Sequence, residues 1–287
     1  MQLSLADRVY LVTGGGSGIG KGAAAAIVAS GGNAMLIGRN ADKLSAAADE
    51  IAAAGGPGSV RYEPADVTSE DEVSRAVAAA TAWHGRLHGV VHSAGGSETI
   101  GPITQIDSEL WRRTVDLNIN GTMYLLKHAG RELVRGGGGS FVGISSIASS
   151  NTHRWFGAYG VSKAALDHLL KLAADELGPS WVRINSIRPG LTRTEMVGPI
   201  FEIPAAGGRL QGLYAAAPLR RGRGHRQPRG VPAQRRCELD HRSGDQRRRR
   251  PRATPRARHL GHARAHVRRR RVTRRGRRII LVCKHLC

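Results

Sequence analysis

The sequence predicts an α/β fold, a doubly wound parallel sheet with helices on both faces. Three observations predict it. Apolar runs alternate with amphipathic helical patterns from residue 8 to 190, at the spacing of parallel βαβ units. The apolar runs lack polar alternation, so both faces of the sheet need cover. A glycine-rich turn follows the first apolar run and opens the first helical one.

Taken in order, VYLVTG (9–14) reads as a buried strand, and a small-residue helix runs on to about Ser30. NAMLIG (33–38) is the second strand and DKLSAAADEIAAA (42–54) a helix. SVRYEPADV (59–67) is the third strand and EDEVSRAVAAATAWHG (70–85) a helix. LHGVVHSAGG (87–96) is the fourth strand. One long helix is expected over 109–133, a fifth strand over 139–146, a helix over 159–177 and a sixth strand over 182–190. No repeat of solenoid period is present.

Charge divides the chain. The net charge is +22. Residues 1–218 carry 19 Lys+Arg and 19 Asp+Glu; residues 219–287 carry 25 and 3. Two regions are therefore expected, a neutral body over 1–218 and an Arg-rich tail over 219–287. The tail has no aromatic residue and little periodicity before RIILV (278–282), so its composition predicts disorder when isolated. It lacks aromatics for base stacking and any nucleic-acid fold, so no specific nucleic-acid partner is expected, only non-specific attraction to phosphates. All three cysteines lie in the tail, which fits a reducing cytoplasm and leaves the body without thiolate metal ligands; no metal is expected. No signal peptide is expected at MQLSLADRVYLVTGG, and no run approaches the roughly eighteen apolar residues of a membrane span.

Three motifs carry chemistry. In TGGGSGIG (13–20), Gly14, Gly18 and Gly20 allow a tight turn and close approach of backbone to a pyrophosphate, which then sits at a helix N-terminus. At the end of the second strand the chain reads IGRN. Arg39 stands where an acid would bond the ribose hydroxyls of NAD, and a cation there pairs with a 2′-phosphate. NADP(H) is favoured, with NAD(H) the alternative. In AYGVSK (158–163), Tyr159 and Lys163 lie four residues apart on one helix face. An ammonium beside a phenol stabilises the phenolate, which makes a tyrosine of ordinary pKa about 10 a usable acid and base.

TGGGSGIG, the DV at 66–67, HSAG (92–95), Asn118 in DLNING, ISS before AYGVSK, and RPGLTRT (188–194) together resemble the short-chain dehydrogenase/reductase family, its 3-oxoacyl-acyl-carrier-protein reductase-like members in particular. The resemblance runs from about Leu5 to Arg221. It implies a Rossmann-type fold and NAD(P)-dependent interconversion of a carbonyl and an alcohol, in a homo-oligomer for intact relatives. Tyr159 matches the acid/base, and Lys163 the residue that holds the nicotinamide ribose and lowers the tyrosine pKa. Ser146 matches the serine on the substrate oxygen, with Ser145 structural, and Asn118 the holder of a relay water. Asp66 and Val67 match adenine contacts, and Thr194 the contact to the carboxamide. The remaining nucleotide contacts fall on Ser17, Ile19, Ser93, Ala94, Gly95, Pro189, Gly190 and Thr192. His92 and Ser93 depart from the family's paired asparagines; His92 is expected to be satisfied by backbone. The apolar character of 195–218 favours an apolar substrate, an oxoacyl thioester or a steroid-like carbonyl.

The tail departs further. The family ends in a strand resembling S-W-I-T-G-Q-V-I-N-V-D-G-G, absent here. Codons allowed for ELDHRSGDQRRRR (238–250), read one base later, spell S-W-I-T-G-Q-V-I-N-V-D-G and then glycine. GRGHRQPRGVPAQRRCE (222–238) likewise yields V-G-D-T-D-N-L-A-A-F-L-L-S-D-A-A-S. A one-base frameshift near Leu219 to Gly222 is the expectation. It predicts a missing last strand, an exposed sheet edge and a marginal product whose activity is in doubt.

Overall fold

The computed structural model of the chain describes residues 4–192. Their strands are β1 (Val9–Thr13), β2 (Asn33–Gly38), β3 (Val60–Pro64), β4 (Gly89–His92), β5 (Gly139–Ile144) and β6 (Val182–Ile187). Their longer helices are α1 (Gly18–Ala29), α2 (Ala41–Ala53), α3 (Glu70–Trp83), α4 (Ser108–Val115), α5 (Gly121–Arg135) and α6 (Gly157–Leu177). The sheet order is β3-β2-β1-β4-β5-β6, and every pairing is parallel. The order reverses beside β1, the switch point at which such sheets bind ligands.

Alternate residues of each strand feed two cores. Val9, Leu11, Met35, Ile37, Val90 and Phe141 face α3, α5 and α6. Tyr10, Val12, Ala34, Leu36, Val91 and Val142 face α1 and α2. This is the two-sided cover that the unbroken apolar strands demand. Small residues on α1 (Ala23, Ala24) let the helix lie close to the sheet, and Gly20 is essential to that approach. A Cβ at Gly20 would stand 2.2 Å from the Gly14 carbonyl oxygen.

The helix expected over 109–133 is not continuous. Asp116–Asn120 forms a π-helical segment between α4 and α5. Within it Asn118 is held inward by side-chain hydrogen bonds to Gly96 in another loop, and the extra residue in that turn accommodates it. α6 starts two residues earlier than the periodicity predicts, at Gly157. β6 pairs only with β5 among the described residues. The lid region and the tail, including the expected loss of the last strand, lie outside the described residues.

Candidate active site

The turn after β1 is shaped by sterics. Gly14 has φ +64 and Gly18 φ +53, a left-handed region that side chains disfavour. A Cβ at Gly14 would also stand 3.0 Å from the Ala94 nitrogen. Ser17 is the N-cap of α1, in extended conformation, and its side chain makes no cap hydrogen bond. In contrast, α2, α3 and α4 are capped by Asn40, Ser69 and Asp107 and carry acids in their first turns. α1 has none, so its first N–H groups and dipole favour an anion, as a pyrophosphate requires. Ile19 packs against the core beneath this turn.

The loop after β4 lies across the same turn. Thr13 Oγ1 accepts from the Ser93 and Ala94 amides at 3.2 and 3.1 Å. Asn118, fully buried, closes the loop's other end: its Oδ1 accepts from Gly96 N at 3.0 Å, and its Nδ2 donates to Gly96 O at 2.7 Å and Ser162 Oγ at 2.8 Å. Ser162 in turn donates to the Tyr159 carbonyl at 2.9 Å. Gly95 faces this point; a Cβ there would be 2.8 Å from both Asn118 Oδ1 and Lys163 Nζ. Asp66 begins the loop after β3, where its Oδ1 accepts from the Thr68 amide and hydroxyl. Val67 is buried, with its carbonyl against Gly121. Arg39 is exposed beyond β2.

The second half of the site is the start of α6. Tyr159 is largely buried, and burial raises its phenol above the ordinary tyrosine value; a hydrogen bond with the Ser146 side chain opposes the shift. Ser146 Oγ also accepts from Ala148 N. Lys163 is buried, and desolvation lowers its ammonium to about 8 against the opposing charge of Asp167. Its Nζ donates to the Ile144 carbonyl at 2.9 Å and lies 5.7 Å from the centre of the Tyr159 ring. The pair therefore shares a helix face, but in this geometry the phenol is raised, not lowered. The ammonium is spent on a strand carbonyl, and desolvation dominates the phenol. Asp167, beneath Lys163, accepts from Ser186 Oγ and Arg188 Nε. Pro189 lies beyond β6 with its carbonyl bonded by Ile147 N, and Thr192 Oγ1 donates to Gly190 O. Thr194 lies outside the described residues.

Several residues go beyond the sequence reading. His92 is not satisfied by backbone; its ring nitrogens meet the Thr13 and Thr122 hydroxyls, each at 2.8 Å. Beside Tyr159, Phe156 packs edge-on at 6.4 Å between ring centres. Trp155 has φ +72, a strained value for a bulky residue, and is 56% exposed. Gly101 N donates to Trp155 O at 3.0 Å, which joins the loop before α4 to the loop before α6. Ile100 and Ile103 are exposed on that loop, and a Cβ at Gly157 would meet Ile103 at 3.3 Å. A strained turn with an exposed aromatic was not legible from NTHRWF. Among the described residues no helix is long and apolar enough to cross a membrane.

A parallel switch-point sheet, a glycine turn at an uncapped helix and a buried Tyr–Lys pair define a dinucleotide-binding oxidoreductase. The sequence profile described as short chain dehydrogenase matches residues 8–204, and the chain belongs to that family, whose members act on CH–OH groups. A short-chain type dehydrogenase/reductase from Mycobacterium ulcerans is 70% identical, with a TM-score of 0.70 over 72% of this chain and 75% of that one. The cis-4-hydroxycyclohexanecarboxylate dehydrogenase of Sinomonas cyclohexanicum is 34% identical over 68% of this chain and 77% of its own. A 7α-hydroxysteroid dehydrogenase, solved with NADH and 7-oxo glycochenodeoxycholic acid, is 31% identical, with a TM-score of 0.65 over 69% of this chain and 76% of that one.

Proposed function

We propose that this chain interconverts a carbonyl and a secondary alcohol on an apolar, ring-bearing substrate, with NADP(H) favoured over NAD(H). The observation that carries the substrate class is the exposed apolar group Ile100, Ile103 and Trp155 on the two loops joined by Gly101 and Trp155, next in the chain to Phe156, which packs on Tyr159. Exposed apolar patches of this kind mark binding sites. Relatives that act on a hydroxycyclohexane acid and on a steroid support the same class. Arg39, with no acid beside it at the end of β2, supports the nucleotide preference.

The residues fit the nucleotide. The α1 N-terminus and the glycine turn take the pyrophosphate, Arg39 a 2′-phosphate, and Asp66 and Val67 the adenine side, while Ser93–Gly95 and Pro189–Thr192 flank the nicotinamide end. A bound nicotinamide dinucleotide supplies or takes up the hydride. Tyr159 holds the proton at its phenolic oxygen, and its raised pKa keeps it protonated at neutral pH. It thus stands as a proton donor toward a carbonyl oxygen in reduction and takes the proton back in the reverse direction. Ser146 Oγ offers a second hydrogen bond to that oxygen. Lys163 holds a positive charge near the phenol, and Asn118 fixes the loop that lies against that lysine.

Turnover of NADPH with cyclohexanone-type ketones tests this reading. Ring ketones should be preferred over linear ones, and Tyr159→Phe should lose about 10²-fold or more in kcat, the scale of general acid catalysis. Linear ketones preferred, or an active Tyr159→Phe, would contradict it.

A second reading concerns 219–287 and rests on the out-of-frame back-translation. We infer that this segment is the gene's last helix and strand read one base off frame, so that its charge is an accident of GC-rich codons. The nucleotides across codons 215–225 decide it: codons incompatible with S-W-I-T-G-Q-V-I-N-V-D-G in the next frame sink this reading.

A further inference from the structure

We propose that His92 is a positioning residue which, as the neutral Nε2–H tautomer, closes a ring of hydrogen bonds around the loop Ser93–Gly96. Donor counting fixes the tautomer. Thr122 Oγ1 spends its proton on the Asn118 carbonyl at 2.7 Å, so it can only accept from the imidazole, and His92 Nε2, 2.8 Å away, must carry hydrogen. Thr13 Oγ1 already accepts from Ala94 N and shares the Ser93 N–H with its own backbone carbonyl, so its acceptor side faces the loop. Its proton therefore goes to His92 Nδ1 at 2.8 Å, which must be bare. The Thr122 end fixes the form, and the Thr13 end agrees with it.

The ring runs from Thr13 through Ser93 and Ala94 along the loop to Gly96. From there it passes across the Asn118 carboxamide to the Asn118 carbonyl, and back through Thr122 and His92 to Thr13. It joins the end of β1, the loop after β4 and the π-helical segment, three elements with no other shared side chain in this chain of bonds. A second proton on the imidazole would turn Nδ1 from acceptor into donor, take away the acceptor for the Thr13 hydroxyl proton and set two donors against each other, so the ring favours the neutral form. The site agrees: His92 is fully buried beside Phe141, and burial, with the like charge of Lys163, lowers its pKa to about 3. A neutral histidine in a bridging role supplies one donor and one acceptor from a single rigid ring, so tautomer and position are set together.

The inference deepens the proposed function, because the loop it holds is the one read as flanking the nicotinamide. Its test does not depend on that reading. In the full-length chain, nitrogen NMR should show His92 as the neutral Nε2–H tautomer, without titration between pH 8 and 5. A bare Nε2, or titration near the ordinary histidine range, overturns the proposal whatever any variant does. In His92→Leu, which keeps size without either polar atom, the amides of Ser93, Ala94 and Gly96 should exchange hydrogen about tenfold faster than in wild type at matched global stability, a coupling of the size neighbours in one network show. His92→Gln should recover part of that protection; unchanged exchange in folded His92→Leu overturns the proposal. NADPH affinity, measured alongside, should fall about tenfold in His92→Leu, a change a merely structural histidine would not produce in molecules that remain folded. If wild type binds no NADPH while the tautomer and exchange behave as stated, the functional reading fails and the ring stands.

Discussion

β1 (VYLVT) and β6 (VRINSI) are both parallel strands of one sheet, but β1 is apolar up to its last residue while β6 mixes apolar and polar residues, and they sit in unlike surroundings. All five residues of β1 are buried, with β2 and β4 on either side and helices above and below. In β6 only Val182 is fully buried, and β5 is its one partner among the described residues. The loops that follow differ in the same way. After β1 the turn is locked by Thr13 against Ser93 and Ala94. After β6 the chain is held from one side, by Ile147 N on the Pro189 carbonyl and by Asp167 on Arg188, and the Thr192 hydroxyl donates to the Gly190 carbonyl two residues back. A groove of about 430 Å³ runs along β6, lined by Leu170, Ala174, Ile184 and Arg188 among others. The glycine turn is thus built into the sheet centre, and the segment at Pro189 lies at the edge of the described sheet. Disturbing the centre should abolish binding; repairing the edge should raise stability without altering the chemistry.

The largest effect is expected at the centre. Gly20→Ala places a methyl 2.2 Å from a backbone oxygen, which neither helix nor turn can yield to cheaply. It should lose more than the ~1–3 kcal/mol of ordinary overpacking and all measurable dinucleotide binding. Calorimetry and chemical denaturation check both. Next comes the edge: a gene restored to the other frame after Leu219 should gain several kcal/mol, on the order of a few hundred Å² of apolar surface at ~25 cal/mol/Å², read as a higher denaturation midpoint. No gain would remove the contrast between centre and edge.

Smaller effects come from buried charge. Lys163 has a folded pKa of about 8 against an ordinary 10.5, so between those values the unfolded chain binds more protons and stability rises with pH. At neutral pH the buried ammonium opposes folding. Lys163→Met should therefore be more stable by about 1–3 kcal/mol while turnover collapses, as expected of a charge kept for function. His92 acts in the acid window. Its folded pKa of about 3 lies below the ordinary 6.5, so stability is lost as pH falls from 6.5 toward 3, at up to about 1.4 kcal/mol per pH unit. His92→Leu should flatten that slope in acid denaturation.

The contrast also marks what the sequence could tell. The alternation of VYLVTG, NAMLIG and GSFVGI with helical stretches was enough for the sheet, because a strand buried on both faces leaves an unbroken apolar run. The glycines of 13–20 were legible because their spacing encodes a turn with no room for a Cβ. The break in 109–133 was not, because it accommodates Asn118 bonding to Gly96, a contact that no local periodicity records. His92 was misjudged for the same reason: Thr13 and Thr122 lie 79 and 30 positions from it in the chain. The spacing of Tyr159 and Lys163 was read correctly as one helix face. The direction of the phenol's pKa was not, since it depends on burial and on the Ile144 carbonyl that holds the ammonium.

The account rests on a sheet centre built to grip a phosphorylated dinucleotide, and calorimetric titration of the full-length chain with NADPH and NADH tests it most directly. The account predicts saturable binding of both, tighter for NADPH, with the preference reversed in Arg39→Asp. Absence of binding by either nucleotide, or a preference indifferent to residue 39, would contradict it.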